Sequence, residues 1–126
     1  MEDKKKLIAH LKDVEPVVRM SAAISLWKLG AKEAVRDIMR LLKDKDTLVR
    51  MSAAIALRNL KAKESIPHLR MMLKDEAAMV RETAIISLYK LGAEEAVPEI
   101  KELLKDEDEG VRASAIVALQ VLGVKS

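Results

Sequence analysis

The chain has 126 residues, 50% of them hydrophobic and 34% charged, and Lys and Arg exceed Asp and Glu by only 23 to 20. This length predicts one domain, the composition is typical of an ordered protein, and a net charge of +3 does not require a nucleic-acid or membrane partner. The absence of cysteine excludes disulfides, thiolate metal sites and a cysteine nucleophile. No apolar run reaches the length of a membrane span, and residues 1–13 lack a signal-peptide core. A cytoplasmic location is therefore expected.

A 31-residue repeat organises the sequence. Four Lys-Asp pairs recur at this step, at 12–13, 43–44, 74–75 and 105–106. Four Val-Arg pairs follow them, at 18–19, 49–50, 80–81 and 111–112. Such agreement predicts a repeat architecture in which neighbouring units stack. The single domain over 1–126 then divides into a half-repeat at 1–13, repeats at about 14–44, 45–75 and 76–106, and a half-repeat at 107–126.

Each full unit is predicted to contain two helices, which we call A and B. Residues 2–12 align with 33–43, so the chain opens on a lone B helix. The first A helix is expected at about 16–29 and its B helix at about 33–43, with an apolar stripe opposite a polar back. The chain closes on a lone A helix at about 109–122. The sequence therefore predicts an all-α fold of eight helices.

Turn residues support the ends of the A helices. Asp46 and Asp108 stand at N-cap positions, and Pro16 suits a first helical turn. Gly30 follows the last leucine of its helix, where a left-handed residue is favoured, as do Gly92 and Gly123. Two positions depart from the pattern, since Lys61 replaces this glycine in the second unit and Ala77 is a poor cap in the third.

Each A helix carries two apolar sides. Val18, Ala22, Ser25, Leu26 and Leu29 cluster on the side expected to pack on helix B. Neighbouring repeats are expected to stack along the flanks, with Ser21 and Lys28 on one flank and Ala23 on the other. A second stripe points away from helix B. We call it the A-helix stripe, and its members are Met20, Ile24, Trp27, Met51, Ile55, Arg58, Glu82, Ile86, Tyr89 and Val117.

Two interpretations of the A-helix stripe remain open. Met20, Ile24 and Trp27 could be ordinary core residues. Alternatively the stripe is an apolar groove for a protein partner, because soluble proteins seldom leave such a patch uncovered without use. The chain's only Trp and only Tyr stand there at equivalent positions, Trp27 and Tyr89. Trp, Tyr and Arg are frequent interface anchors, so we favour the groove.

The repeat resembles a known family. The 31-residue period and the pattern KD-x-x-x-x-VR-x-x-A-x-x-x-L-x-x-L-G are similar to HEAT-like repeats of the phycobilisome-lyase type and to artificial repeat scaffolds based on that family. The resemblance implies a right-handed α-α superhelix, a solenoid with A helices on its concave face. It also raises an alternative function, an accessory subunit or relative of a bilin lyase. Ala31, Ala62 and Ala93 depart from the family, which usually has Asp there.

The sequence shows no catalytic constellation and predicts no cofactor or metal. One HEAT-like class hydroxylates a protein with iron held by His-Glu pairs, but His10 and His68 are both followed by leucine. His10 aligns with Leu41 and is expected in the core, whereas His68 aligns with Asp37 and is expected in solvent. The prediction is a non-catalytic protein.

The arginines of the Val-Arg pairs could suggest nucleic-acid binding in a basic concavity. Each follows an Asp by six residues, which favours a structural Asp–Arg ladder that ties the repeats together. The ladder consists of Asp13, Arg19, Asp44, Arg50, Asp75, Arg81, Asp106 and Arg112. The apolar A-helix stripe also disfavours phosphate contacts.

The chain itself is a further candidate partner. Ile116, Leu119 and Leu122 have no B helix to cover them at the C-terminal end, whereas Lys4, Lys5 and Lys6 could blunt the other end. Self-association is predicted through the uncapped C-terminal helix or through the A-helix stripe. Together these patterns predict a module that binds a protein and neither a nucleic acid nor a membrane.

Overall fold

The computed structural model describes residues 3–123. Within this range the chain forms eight α-helices and no strand, which confirms the all-α repeat fold. The helices are α1 (Lys4–His10), α2 (Pro16–Lys28), α3 (Val35–Arg40), α4 (Thr47–Asn59), α5 (Ile66–Met71), α6 (Ala78–Lys90), α7 (Val97–Glu102) and α8 (Glu109–Val121). Their order is one B helix, three A–B pairs and a final A helix, as predicted. Among residues 3–123 every helix falls short of the length and apolarity that a membrane span requires.

The helices belong to two compact units. The first, Met1–Ser65, contains α1 to α4, and the second, Ile66–Ser126, contains α5 to α8. In the first unit α2 packs along α4 and α1 packs on α2. In the second unit α6 packs along α8, and α5 and α7 pack on α6 and α8 respectively. The single domain expected from chain length stays a prediction.

The B helices are shorter than expected because 3-10 turns flank them. Around α3 these turns are Lys32–Ala34 and Leu41–Lys43, so together they fill the predicted span of 33–43. Asp44 then adopts an extended conformation, and its carboxylate accepts a hydrogen bond from the backbone N–H of Asp46 at 2.9 Å. This local turn ends helix B and starts the approach to the next A helix.

The predicted caps are present at the A helices. The Asp46 carboxylate accepts a hydrogen bond from the Val49 N–H, and the Asp108 carboxylate accepts one from the Val111 N–H, both at 3.0 Å. Pro16 occupies the first turn of α2, and Ala77 provides no side-chain cap to α6. These bonds satisfy amide groups that the helix leaves unpaired.

Left-handed residues end the four A helices. Gly30, Gly92 and Gly123 have φ angles of 65°, 71° and 76°, as the sequence predicts. Lys61 takes the same conformation, with φ at 56°. A side chain with a Cβ is strained in this region by about 1–2 kcal/mol, so the second repeat retains the geometry against the preference of its residue.

The Lys61→Gly substitution is expected to raise the free energy of unfolding by about 0.5–1 kcal/mol. Relief of left-handed strain exceeds the extra chain entropy that glycine adds to the unfolded state. Urea denaturation measures the change. Gly92→Ala is the matched control and should destabilise, because a Cβ there meets no atom within 4 Å and only backbone strain remains. A loss of stability with Lys61→Gly would contradict this explanation.

The core lies between the A and B helices. In the first unit Leu26, Ile38 and Leu57 are fully buried, and in the second unit Leu88 and Ile100 are. The predicted packing side of α2 is correct for Ala22 and Leu26. It is wrong for Leu29, which is exposed because only the short helix α1 precedes it.

Both histidine predictions need correction. His10 is exposed rather than packed in the core, since no A helix precedes α1 among the described residues to cover it. His68 is half-buried rather than solvated, and no described residue forms a hydrogen bond with its buried Nδ1. Alignment to Asp37 placed His68 on the correct helix side but could not give the depth of that side chain.

Arginine side chains join successive repeats. Arg19 donates two hydrogen bonds to the carboxylate of Asp44, from Nε at 2.8 Å and from Nη2 at 3.0 Å. Its Nη1 donates to the backbone carbonyl of Asp13 at 2.7 Å. Arg81 binds Asp106 and the Asp75 carbonyl in the same way. Each of these arginines therefore links the turn before its own helix to the turn at the end of the following B helix.

Candidate partner-binding surface

In the first unit the A-helix stripe lies on α2 and α4, which pack along each other. Met20, Ile24 and Trp27 are half-buried on α2, between solvent and the fully buried side that contains Leu26. On α4 the stripe members are half-buried as well, and they are Met51, Ile55 and Arg58. These six side chains are therefore neither fully buried nor fully exposed, and the groove interpretation of Met20, Ile24 and Trp27 stays a prediction.

Two buried faces on one helix explain why the stripe stays partly open. Ala22 and Leu26 face the core, and Ala23 on the adjoining flank is also fully buried. A helix whose core side and one flank are covered leaves its other two sides uncovered. In α2 these are the flank with the exposed Ser21 and Lys28 and the side with the half-buried Met20, Ile24 and Trp27.

In the second unit the stripe borders a cleft of about 200 Å³ between α6 and α8. Glu82, Ile86 and Tyr89 are half-buried on α6, and Val117 is exposed on α8. The complete lining is Glu82, Ile86, Tyr89, Gly110, Ala113, Ser114 and Val117. The cleft thus combines apolar walls with a carboxylate at one end.

Gly110 and Ser114 hold the carboxylate of Glu82 at this cleft. The Ser114 hydroxyl donates a hydrogen bond to Glu82 Oε2 at 3.2 Å. A Cβ at position 110 would lie 2.8 Å from the same oxygen, so the Glu82 side chain would have to shift if Gly110 were replaced. The acidic end of the cleft therefore contacts α8 through Gly110 and Ser114.

A second set of exposed apolar residues lies beside the stripe and was not predicted from the sequence. Val17, Leu48 and Met79 are exposed in the first turns of α2, α4 and α6. In the first unit Val17, Met20 and Leu48 line a cleft of about 220 Å³ with Glu15, Pro16 and Asp46. Each residue of the set stands three positions before the first stripe residue of its helix. That spacing was a usable signal, because residues three apart share a helical face.

A larger cleft lies on the B-helix side of the second unit and was also missed. Its volume is about 540 Å³, and its lining is Pro67, Arg70, Met71, Lys74 and Glu99. Arg70 donates two hydrogen bonds to the Glu99 carboxylate, at 2.6 and 3.0 Å. These bonds hold the pKa of Glu99 below its ordinary value and raise that of Arg70. The cleft therefore contains an internally neutralised pair beside the exposed Met71.

The structure also locates the residues considered for other chemistry. Within residues 3–123, no three His, Cys, Asp or Glu side chains lie close enough to hold a metal ion. Arg19 and Arg50 are buried, and the Arg81 side chain is largely covered where it binds Asp106. The positive charges of Arg19 and Arg81 are thus matched by carboxylates 2.8 and 2.9 Å away.

Comparisons with solved structures show the same fold at low sequence identity. An engineered protein matches with a TM-score of 0.71 and 22% identity over 97% of this chain. Human deoxyhypusine hydroxylase matches with a TM-score of 0.80 and 24% sequence identity over 97% of this chain. The CpcE–CpcF complex of phycocyanin lyase from Nostoc sp. PCC7120 matches with a TM-score of 0.69 and 21% sequence identity over 99% of this chain. The chain spans less than two thirds of each of these chains, namely 63%, 44% and 66%.

Sequence comparisons point to one family. No curated protein matches the chain significantly. The profile described as HEAT repeats matches residues 5–88 and again 71–125, which covers nearly the whole chain. With its helix pairs, its 31-residue period and this match, the chain belongs to the HEAT repeat family.

Proposed function

We propose that this protein is a non-catalytic interaction module that binds a protein partner through the A-helix stripe. The observation that carries the proposal is the partial exposure of Met20, Ile24, Trp27 and Ile55 in the first unit. These side chains are apolar, yet the same helices bury other apolar residues completely. Covering such a surface with a partner lowers the free energy, because apolar area is removed from water.

Covering these side chains is expected to favour binding. Burying one fully exposed side chain of this size contributes about 1.5–3 kcal/mol, and a half-buried one contributes part of that. Trp27 and Arg58 are of the residue types that most often anchor interfaces. The preference for a protein partner follows from this mixture of apolar anchors and a single cation.

The cleft of the second unit adds a specific feature. Its volume of about 200 Å³ is sufficient for one apolar side chain, with Ile86, Tyr89 and Val117 around it. Glu82 at its end favours a partner with a basic group next to that side chain, because complementary charges set the register of binding. The partner segment is therefore expected to present an apolar residue beside Lys or Arg.

Nucleic-acid binding has weaker support. Arg19 and Arg81 already bind carboxylates, so they are poorly placed to neutralise phosphates. The stripe of the first unit presents only one cation, Arg58. Binding to DNA of any sequence that weakened steeply with salt would favour that alternative.

The Ile55→Glu variant tests the proposal with peptides selected from a random display library on the wild-type protein. We expect the affinity of the enriched peptides to fall about 30-fold or more, because the substitution places a charge at a buried anchor. Met71→Glu is the control, since it replaces another apolar residue by Glu, here an exposed one on the B-helix side. Fluorescence of Trp27 measures the binding.

Ile55→Glu should melt only slightly below Met71→Glu, because Ile55 is half-buried and Met71 is exposed. A large loss of stability in Ile55→Glu alone would show that Ile55 supports the fold and not a partner. Peptides whose affinity falls with Met71→Glu but not with Ile55→Glu would contradict the proposed surface.

A further inference from the structure

Both ends of the repeat array expose side chains whose equivalents in other repeats are buried. At the C-terminal end, Ile116 of α8 is 51% exposed, whereas the equivalent Ile85 of α6, along which α8 packs, is fully buried. Leu104 is 39% exposed, whereas the equivalent Leu73 is 2% exposed. We call the surface around Ile116 and Leu104 the C-terminal face. It consists of positions that a following repeat covers elsewhere.

The N-terminal end shows the complementary pattern. Leu29, the C-cap of α2, is 43% exposed, whereas the equivalent Leu60, the C-cap of α4, is 4% exposed, and α4 packs along α2. Ser21 is exposed, whereas the equivalent Ser52 is buried. We call the surface around Ser21 and Leu29 the N-terminal face. It consists of positions that a preceding repeat covers elsewhere, and it keeps the residue types of the interior.

Arg112 lacks one half of the interactions that its equivalents make. Arg19 and Arg81 each bind a carbonyl of the preceding turn and the carboxylate 25 residues later. Arg112 donates from Nη1 to the Asp106 carbonyl at 2.7 Å, which reproduces the first half. Among residues 3–123 no carboxylate pairs with its remaining N–H groups. The side chain is thus oriented and still has donors for an acid.

Asp13 has the corresponding geometry at the other end. Its Oδ1 accepts a hydrogen bond from the Glu15 N–H at 2.9 Å, as Asp44 Oδ1 does from Asp46 and Asp106 Oδ1 from Asp108. Asp44 and Asp106 use the same carboxylates to bind arginine. No arginine or lysine of the described residues forms an ion pair with Asp13. It is an acid already held in the arginine-binding conformation.

We propose that the C-terminal face of one copy binds the N-terminal face of a second copy, with Arg112 of the first paired to Asp13 of the second. An Asp 25 residues after Arg112 would fall beyond the 126 residues of this sequence, and Asp13, the first Asp of the Lys-Asp series, would take its place from the next copy. The lone A helix α8 and the lone B helix α1 would then complete one repeat between two molecules. The interface lies outside the A-helix stripe.

Two polar residues limit the strength of this contact but do not exclude it. Lys4 and His10 stand where the interior has Val35 and Leu41. Val35 and Leu41 are buried, whereas the equivalent Val97 and Leu103 of the last B helix are half-buried, so the depth of these positions differs between repeats. Lys4 and His10 are exposed, and Lys4 pairs with Glu33 of its own copy at 3.5 Å, so their polar ends can remain in water. We therefore expect association that depends on concentration.

Such an interface joins unlike faces, so each added copy leaves one face of each kind open. Two single variants separate it from a symmetric dimer. Ser21→Glu blocks the N-terminal face, and Ile116→Glu blocks the C-terminal face. Both residues are exposed, so both variants should fold, which circular dichroism checks. If Ile116→Glu lost helicity, Leu104→Glu would replace it.

Light scattering after size exclusion gives the decisive result. The wild type should exceed the chain mass of 14.0 kDa increasingly with concentration, and each variant alone should stay at that mass. A mixture of the two variants should form a one-to-one dimer and nothing larger, since each supplies the face that the other lacks. Val121→Glu is the matched control on α8, because its equivalents Lys28, Asn59 and Lys90 are exposed in every repeat. It should associate like the wild type.

Three results would overturn the proposal. The first is that the wild type stays monomeric up to about 1 mM, because a dissociation constant above that value would not indicate specific self-association. The second is a mixture of the two variants that stays monomeric. The third is association of either variant alone, which would indicate a symmetric contact or one through the A-helix stripe.

Discussion

Replacing Arg81 with Met is expected to lower the free energy of unfolding by about 3–5 kcal/mol at pH 7. The substitution keeps most of the aliphatic stem but removes the two hydrogen bonds to Asp106, at 2.9 and 3.0 Å, and the bond to the Asp75 carbonyl. The Asp106 side chain is almost fully covered, so its carboxylate would remain charged without its cation. Chemical denaturation measures the loss.

Arg40→Met provides the matched control. Arg40 forms a single bond to Asp37 at 3.1 Å three residues earlier on the same helix, and its side chain is largely exposed. Exposed pairs of this kind contribute about 0.5 kcal/mol or less. Equal losses for Arg40→Met and Arg81→Met would contradict the structural role of the Arg81 pair.

The Arg81 effect should also depend on pH. The hydrogen bonds from Arg81 hold the pKa of Asp106 below its ordinary value. A depressed pKa in the folded state stabilises the protein above the unfolded value, which is about 3.9 for Asp, and this contribution is lost as the pH falls through the folded value. The difference between wild type and Arg81→Met should therefore shrink below about pH 4. A difference that stayed constant to pH 2 would exclude this linkage.

The second large effect is expected for Leu57→Ala, with a loss of about 2.7–5 kcal/mol in the free energy of unfolding. Leu57 is fully buried in α4, so truncation removes apolar contacts and leaves a cavity. Ile55→Ala, two residues away on the same helix, should cost about 1 kcal/mol, because Ile55 is only half-buried.

This pair distinguishes the two apolar sides of one helix. Urea denaturation of both variants measures the contrast, and the slope with denaturant should stay constant if both remain two-state. Similar losses for both would place Ile55 in the core and remove the main support for the A-helix stripe as a binding surface.

The fold could be predicted well from the sequence because the same structural signals occur in several repeats. The Asp46 and Asp108 caps, the left-handed Gly30 and Gly92, and the buried Leu26 and Leu57 all recur at a fixed step. Four copies of one pattern show which positions the fold needs. Even the exception at Lys61 was visible, and the structure retains the turn there.

The failures come from the ends, where equivalence in sequence is not equivalence in environment. His10 and Leu29 align with buried residues but are exposed, because no element formed by residues 3–123 covers them on one side. The clefts were missed for another reason. The volume at Gly110 and Ser114 depends on how α8 packs on α6, and helical periodicity within one helix does not contain that distance.

The arginine pairs also constrain how such a chain can vary in length. Arg19 binds a carbonyl six residues before it and a carboxylate 25 residues after it, so its two anchors lie one repeat apart. An insertion or deletion inside that interval moves one anchor relative to the other, unless a loop absorbs the change. Gain or loss of a whole unit leaves both anchors intact. Both sets of hydrogen bonds made by the guanidinium group therefore require the spacing of one repeat. The length of this chain can change most easily in steps of 31 residues.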